Sequence, residues 1–295
     1  MHIPTLLFYI LELASIASAF PSRISNANKL FPRNLIQKLD GNADKDSLRY
    51  QPALDFDKDS CYHTAAIDID GRVNEGLPRF GSVKRDCRDK LRLDNANVYT
   101  RKRCNNGWCA YITGMPWSGH VHDWENAVVF VKNNTIRRVA VSANGRYHST
   151  SKPLLQDGHP LIVYHKLFLR THSLRLAKDK DLKKVKNHYG EWVIADLVGW
   201  DGYPSKEFKE SLLNHKFGKA NFHLRDGQFE WSLEKAAKDG VPGFDCLKDG
   251  GDEYKDKDKD EEKNKHEENE KDEGKDKGKD EKKGNDENKE KDKDK

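Results

Sequence analysis

The hexapeptide Cys104-Asn-Asn-Gly-Trp-Cys109 limits the fold more than any other stretch of this 295-residue chain. Asn and Gly tolerate positive φ, so Asn106-Gly107 suits a two-residue type I′ turn. Under that turn Asn105 and Trp108 form the hydrogen-bonded pair. Cys104 and Cys109 then fall on the next, non-hydrogen-bonded pair, where facing side chains lie closest. That geometry accepts a disulfide, which would fix the register of a hairpin whose arms are Val98–Arg101 and Trp108–Ile112. Further short runs end at turn residues in the same way: Leu54–Asp57, Ala66–Ile69 before Asp70-Gly71, Val128–Val131, Thr135–Ser142 before Asn144-Gly145, Leu161–His165 and Phe168–Ala177. Each reads as a strand.

The period changes after Pro204. Ser205 is a helix cap, Phe208, Leu212 and Phe217 recur at helical spacing, and Gly218 is the stop. A second helix carries Phe229, Leu233 and Ala236-Ala237 and ends at Gly240 and Pro242. The expectation is one α+β domain over residues 51–246, built on an antiparallel β-sandwich with helices packed around it late in the chain. Its roughly 195 residues suffice for a sizeable core.

The flanks differ from this body. Met1–Ala19 contains the apolar run Leu6-Leu-Phe-Tyr-Ile-Leu11 and ends in Ala17-Ser-Ala19, so it reads as a signal peptide cut after Ala19. Residues 20–50 are polar and charge-mixed and read as a flexible leader. From Lys248 onward 16 Lys stand against 21 Asp and Glu, so the tail carries −5 and the rest +9 of the net +4. Residues 247–295 hold too few apolar groups to offset ordering entropy and are expected to be disordered. The basic body suits an anionic surface such as a membrane or acidic polysaccharide, although basic secreted proteins are common without such a role. Nucleic acid is excluded as a partner: no binding motif is present and the chain leaves the cell. A monomer is expected. Asn133-Asn-Thr135 is a glycosylation sequon on the turn between two expected strands. Asp57-Lys-Asp59 and Asp68-Ile-Asp-Gly71 lack the spacing and closing glutamate of a calcium loop and read as solvated turns.

The chemistry concentrates in Gly119-His-Val-His-Asp-Trp-Glu125, just before the apolar strand. His120, His122, Asp123 and Glu125 all bind metals or move protons. In an extended segment His120 and His122 share one face while Asp123 and Glu125 share the other, so all four meet one ion only if the chain bends, which Gly119 permits. With no interleaved cysteine the donor set favours a hard cation, Ca²⁺ or Mg²⁺, over structural zinc, with Mn²⁺ and non-haem Fe²⁺ as the alternatives. The competing reading is a polar loop closed by its own hydrogen bonds.

This heptad resembles the Gly-His-Arg-His-Asp-Trp-Glu signature of the necrosis- and ethylene-inducing peptide-like proteins, secreted microbial toxins and elicitors acting on plants. Further similar blocks follow in family order: Gln51-Pro-Ala-Leu-Asp-Phe-Asp57, Cys104–Cys109, His159-Pro-Leu-Ile-Val-Tyr-His-Lys166, Thr171-His172, Leu197-Val-Gly-Trp-Asp-Gly-Tyr-Pro204 and Val241-Pro-Gly-Phe-Asp245. The four-cysteine arrangement resembles the disulfide-richer branch, with Cys61–Cys87 matching the family's shared bridge beside Cys104–Cys109. A bridge closing a loop of that length stabilises by about 3–4 kcal/mol in the entropic model. Cys246 is left over at the domain edge, as a free thiol, a mixed disulfide or a dimer contact.

The resemblance implies that His120, Asp123 and Glu125 hold a divalent cation, Mg²⁺ or Ca²⁺. It also implies that Gly119, His122 and Trp124 support that cavity. The expected partner is the sugar head group of plant plasma-membrane glycosylated sphingolipids, and the expected outcome is membrane damage with no bond-breaking step. His159, His165 and His172 are candidates for lining the same region, or else ordinary hydrogen-bonding histidines. Two departures from the family pattern stand out. Val121 replaces an arginine, and Tyr111–Gly119 lacks the acid that adds a ligand in the family, which Trp117 cannot replace. The expectation is therefore a weakened metal site. A non-lytic lectin-like binder or elicitor is the alternative reading, and a metal-dependent enzyme acting on wall polysaccharide is the more distant one.

Overall fold

The computed structural model describes residues 35–76, 87–117, 122–168 and 171–250. The expected signal peptide, residues 20–34 of the leader and residues 251–295 of the tail lie outside the described residues. The fold is α+β, and its scaffold is two sheets. The larger runs β10 (Asp196–Gly199), β2 (Asn97–Asn105), β3 (Trp108–Trp117), β4 (Asp123–Lys132), β5 (Thr135–Ala143) and β6 (Arg146–Thr150). The smaller places β8 (His159–Phe168) beside β1 (Ala53–Phe56), β7 (Leu155–Gln156) and β9 (Thr171–Leu176).

Tight turns build the large sheet. Asn106 and Gly107 both take positive φ (48° and 75°), and so do Asn144 and Gly145 (51° and 71°). That is what a two-residue hairpin turn requires. The register pairs Asn105 with Trp108 and Cys104 with Cys109, and the two sulfurs are bonded. The second bridge joins Cys61 to Cys87, leaving Cys246 as the free cysteine. Asn133 and Asn134 make the exposed β4–β5 turn, so the sequon sits at a solvent-facing corner.

Alternation along β3 and β4 serves two cores. Ala110, Ile112, Trp124, Val128 and Phe130 face the helices, packing with Leu212, Leu224, Phe229 and Leu233. Tyr111, Met115, Ala127, Val129 and Val131 face the other sheet, packing with Phe56, Ile162, Tyr164 and Leu174. A strand covered on both sides needs apolar residues at consecutive positions, which explains the unbroken run Ala127–Val131.

Five α-helices are present among the described residues: α1 (Lys45–Arg49), α2 (Lys90–Asp94), α3 (Asp179–Leu182), α4 (Lys206–Asn214) and α5 (Gln228–Ala237). The two long ones come late, as expected. Helix α5 buries Phe229, Leu233, Ala236 and Ala237, which share one face. Ser205 stands at the α4 cap position, but its side chain makes no capping bond, and α4 ends at Asn214 rather than at Gly218. Phe217 packs from the loop beyond.

Four expectations are corrected. The sheets are mixed rather than purely antiparallel, because β1 runs parallel to β8 and β10 parallel to β2. Residues 35–50 are not a loose leader: Leu39 is buried, exchanges both backbone hydrogen bonds with the Asn97 side chain, and precedes α1. Ala66–Ile69 forms no strand, because the buried Asp68 carboxylate accepts from the N–H groups of Asp70 and Arg72 and closes a turn. That turn makes one isolated bridge, Ile67 to Val73. The tail begins later than residue 247, since Arg103 bonds the Asp249 carboxylate and the Gly250 N–H donates to the Cys104 carbonyl. Asp57, at the end of the first strand, pairs with Arg175 and Lys186.

Candidate functional site

Asp123 and Glu125 begin β4 on the face that, one turn of the pleat further on, supplies Ala127, Val129 and Val131 to the inter-sheet core. Both line one cavity of about 230 Å³ at the open end of that layer. Its wall continues through Ser142, Asn144, Tyr147, His172, Lys219 and His223.

Each carboxylate is held from behind. The fully buried Tyr164 hydroxyl donates to Asp123 Oδ2 at 3.1 Å, and the His172 ring stacks on Tyr164 at 5.3 Å between centroids. Burial first, then the two carboxylates, pushes the Tyr164 phenol well above its ordinary value, so it remains a donor. Glu125 is 7% exposed and accepts from the Ser142 hydroxyl. Ser142 in turn accepts the Asn126 N–H at 2.8 Å. Burial, and then the neighbouring Asp123 charge, raises the Glu125 pKa well above the usual carboxylate range, against the opposing Ser142 bond.

The other motif residues face away. Trp124 packs in the helix-side core against Phe222 at 4.8 Å and Phe217 at 5.5 Å. His122 meets the rings of His215 and Phe217, each at 5.3 Å, and burial followed by the His215 charge lowers its pKa. Both therefore brace the strand; Trp124 also contributes to the cavity wall, whereas His122 does not. Gly119 and His120 lie outside the described residues. Among the described residues no group of three His, Cys, Asp or Glu converges on one point.

The expected histidines separate. His172 does line the cavity. His165 instead lines a neighbouring groove, its Nε2 lying 3.3 Å from Ser173 Oγ. His159 is the ordinary hydrogen-bonding histidine of the alternative reading: its Nδ1 lies 2.8 Å from the carbonyl of Gln51, just before β1, and it lines neither cavity. Sequence reasoning missed Tyr164, Ser142 and His223. His223 Nε2 lies 3.3 Å from the Trp124 carbonyl and its Nδ1 lies 3.0 Å from Ser232 Oγ. Burial lowers its pKa to about 4, which keeps the ring neutral.

The residues present suit a hard cation. Glu125 is a buried carboxylate beside a second one, in no ion pair among the described residues, and burial disfavours its charge unless a cation is near.

The family model for necrosis inducing protein (NPP1) matches residues 44–236. This chain belongs to the necrosis-inducing protein family. NLP effector protein 10 of Phytophthora capsici is 27% identical over 206 residues, covering 64% of this chain and 82% of the effector. The necrosis-inducing protein NPP1 of Phytophthora nicotianae is 27% identical over 205 residues, covering 63% and 79%. The crystal structure of necrosis and ethylene inducing protein 2 from the agent of cocoa's witches' broom disease superposes with a TM-score of 0.57 at 26% identity, covering 68% of this chain and 94% of that one. The fold of NLPPya in complex with mannosamine is shared at a TM-score of 0.58 and 23% identity, covering 70% and 98%. The matched family region thus contains both sheets, all of α4, and α5 apart from its final residue Ala237.

Proposed function

We propose that this protein is a secreted virulence factor that binds sugar head groups of plant plasma-membrane glycosylated sphingolipids and damages the membrane. A divalent cation, Mg²⁺ or Ca²⁺, assists the binding. The observation that carries the reading is the pairing of Asp123 and Glu125 on one open cavity, each oriented by a hydroxyl donor. His120, three positions before Asp123, is the third donor of the set. A bound hard cation supplies coordination positions at which sugar hydroxyls replace water. The chain's own part is to hold the two carboxylates apart from their apolar backing and to keep Tyr164 protonated behind them. Rim groups from Asn144, Lys219 and Asn221 are within reach of hydroxyls in the cavity. NLPPya, which shares the fold, is described in complex with mannosamine and in complex with glucosamine, which supports a sugar as the ligand class.

A second reading, a non-lytic binder or elicitor, is favoured by the absence of any acid in Tyr111–Gly119, which leaves the cation one carboxylate fewer. A protein described as non-toxic HaNLP3 shares the fold at a TM-score of 0.58, so fold alone does not decide lysis.

Dye release tests the first reading against the second. Vesicles containing glycosylinositol phosphorylceramides leak with Mg²⁺ or Ca²⁺, stop leaking with EDTA, and do not leak with Asp123→Ala. Absence of leakage at micromolar protein, with the fold intact by circular dichroism, overturns the lytic reading. Release of reducing sugars from wall polysaccharide, lost with chelator, would instead establish an enzyme.

A further inference from the structure

Beside the acidic cavity, sharing Asn144 with it, lies a larger groove of about 660 Å³ between the edge strand β6 and strand β9. Its polar lining is of one sign. Arg146 and His148 alternate onto the same face of β6, while Tyr147 between them turns to the helix-side core. Facing them are His165, Ser173, Arg175 and Lys178. Among the described residues no carboxylate lines the groove.

These groups do different things. Arg175 is bound by Asp181 at 2.6 and 2.9 Å and by Asp57 at 3.3 Å, so its charge is already balanced and it stiffens the wall. Arg146 and Lys178 enter no ion pair among the described residues and are exposed on opposite walls. Between them His165 and the buried Ser173 hydroxyl supply hydrogen-bonding groups deeper in the groove. Two uncompensated cations flanking polar donors form a cradle for a compact polyvalent anion. Leu167, Leu174 and Leu176 line the remainder. That apolar share, with a volume well beyond one phosphate, suits an anion bearing an organic substituent.

We propose that this groove is a second binding site, for a phosphate ester, with Arg146 and Lys178 clamping the phosphate and the leucines meeting its substituent. The site goes beyond the sugar-binding reading and stands without it, since neither Asp123 nor Glu125 lines the groove.

The test follows the imidazole NMR signals of His148 and His165 in the full chain at constant pH. The probes are inorganic phosphate, glycerol 3-phosphate and dihexanoyl phosphatidic acid. Saturable shifts are expected, with both esters binding more tightly than inorganic phosphate. Binding should weaken about tenfold or more in Arg146→Ala/Lys178→Ala, as loss of charge-assisted bonds requires. Tighter binding of the lipid ester would assign a membrane lipid as the source; equal binding of both esters would assign a soluble phosphate. The Asp123→Asn variant should bind each ester as the wild type does. Linear, non-saturating shifts, or shifts unchanged in the double variant, would overturn the proposal, whatever the vesicle assays of the acidic cavity give.

Discussion

At the scale of single residues, the site contrasts acids that were evident in the sequence with supports that were not. Asp123 and Glu125 stand two apart before an apolar run, and the strand period alone puts them on one face. Their partners Tyr164, Ser142 and His172 come from β8, β5 and β9, which only tertiary pairing brings close. The one local signal for Ser142 is that it interrupts the run Val139-Ala-Val141 with a hydroxyl. His223 gave no signal, being one of two histidines in the loop between α4 and α5.

Its burial carries a pH prediction. The folded state holds the ring neutral with a pKa of about 4, whereas the unfolded chain binds a proton below about 6.5. Between those values the unfolded state therefore carries more protons. Stability is complete above about pH 6.5 and falls as pH drops toward 4. The loss attributable to His223 is at most about 3 kcal/mol. Urea midpoints measured across that window should fall steeply for the wild type and less steeply for His223→Gln. His63, lowered by burial to about 3, leaves a residual slope in the variant. Equal slopes would show that His223 is not held neutral.

At the scale of elements, hairpins and late helices were legible because turn chemistry and periodicity are local. The parallel edges were not. Ala53 pairs with Leu161 and Asn97 with Asp196, partners about a hundred residues apart that no spacing rule connects. Leu39 also escaped notice, since with Leu35 and Ile36 it forms only a brief apolar group in a charge-mixed stretch, too short to set a period. The C-terminal segment after α5 is held by two residues of β2. Arg103, 4% exposed in its side chain, pairs with Glu230 at 2.9 Å and Asp249 at 2.8 Å and also donates to the Cys246 carbonyl. Asn105 Nδ2 donates to the carbonyls of Asp245 and Lys248. Burial, then Glu234 and Asp245, pushes the Cys246 thiol up to about 11, so it is unreactive while the segment is docked. Arg103→Ala should cost about 3 kcal/mol in denaturant unfolding, because it strands a partly buried Glu230. It should also speed Cys246 labelling by a thiol reagent under native conditions. Unchanged labelling would mean the segment docks without Arg103.

At the scale of the whole molecule, two bridges constrain loops of different length. Cys61–Cys87 spans 26 residues and Cys104–Cys109 spans 5. Loop-closure entropy then predicts a loss of about 3–4 kcal/mol for Cys61→Ser/Cys87→Ser and about 2 kcal/mol for Cys104→Ser/Cys109→Ser. The hairpin bridge contributes less because its turn already sets the register. Unfolding midpoints of the two double variants test the order, and the reverse order would contradict it.

The proposed function depends most on the acidic cavity holding a cation. Calorimetric titration of Mg²⁺ and Ca²⁺ into the wild type and Glu125→Gln addresses this directly, since the amide keeps the shape of the side chain but removes its charge. Saturable binding to one site is expected in the wild type, lost or at least about tenfold weaker in the variant. No binding by the wild type, or equal binding by both proteins, would contradict a cation-assisted site.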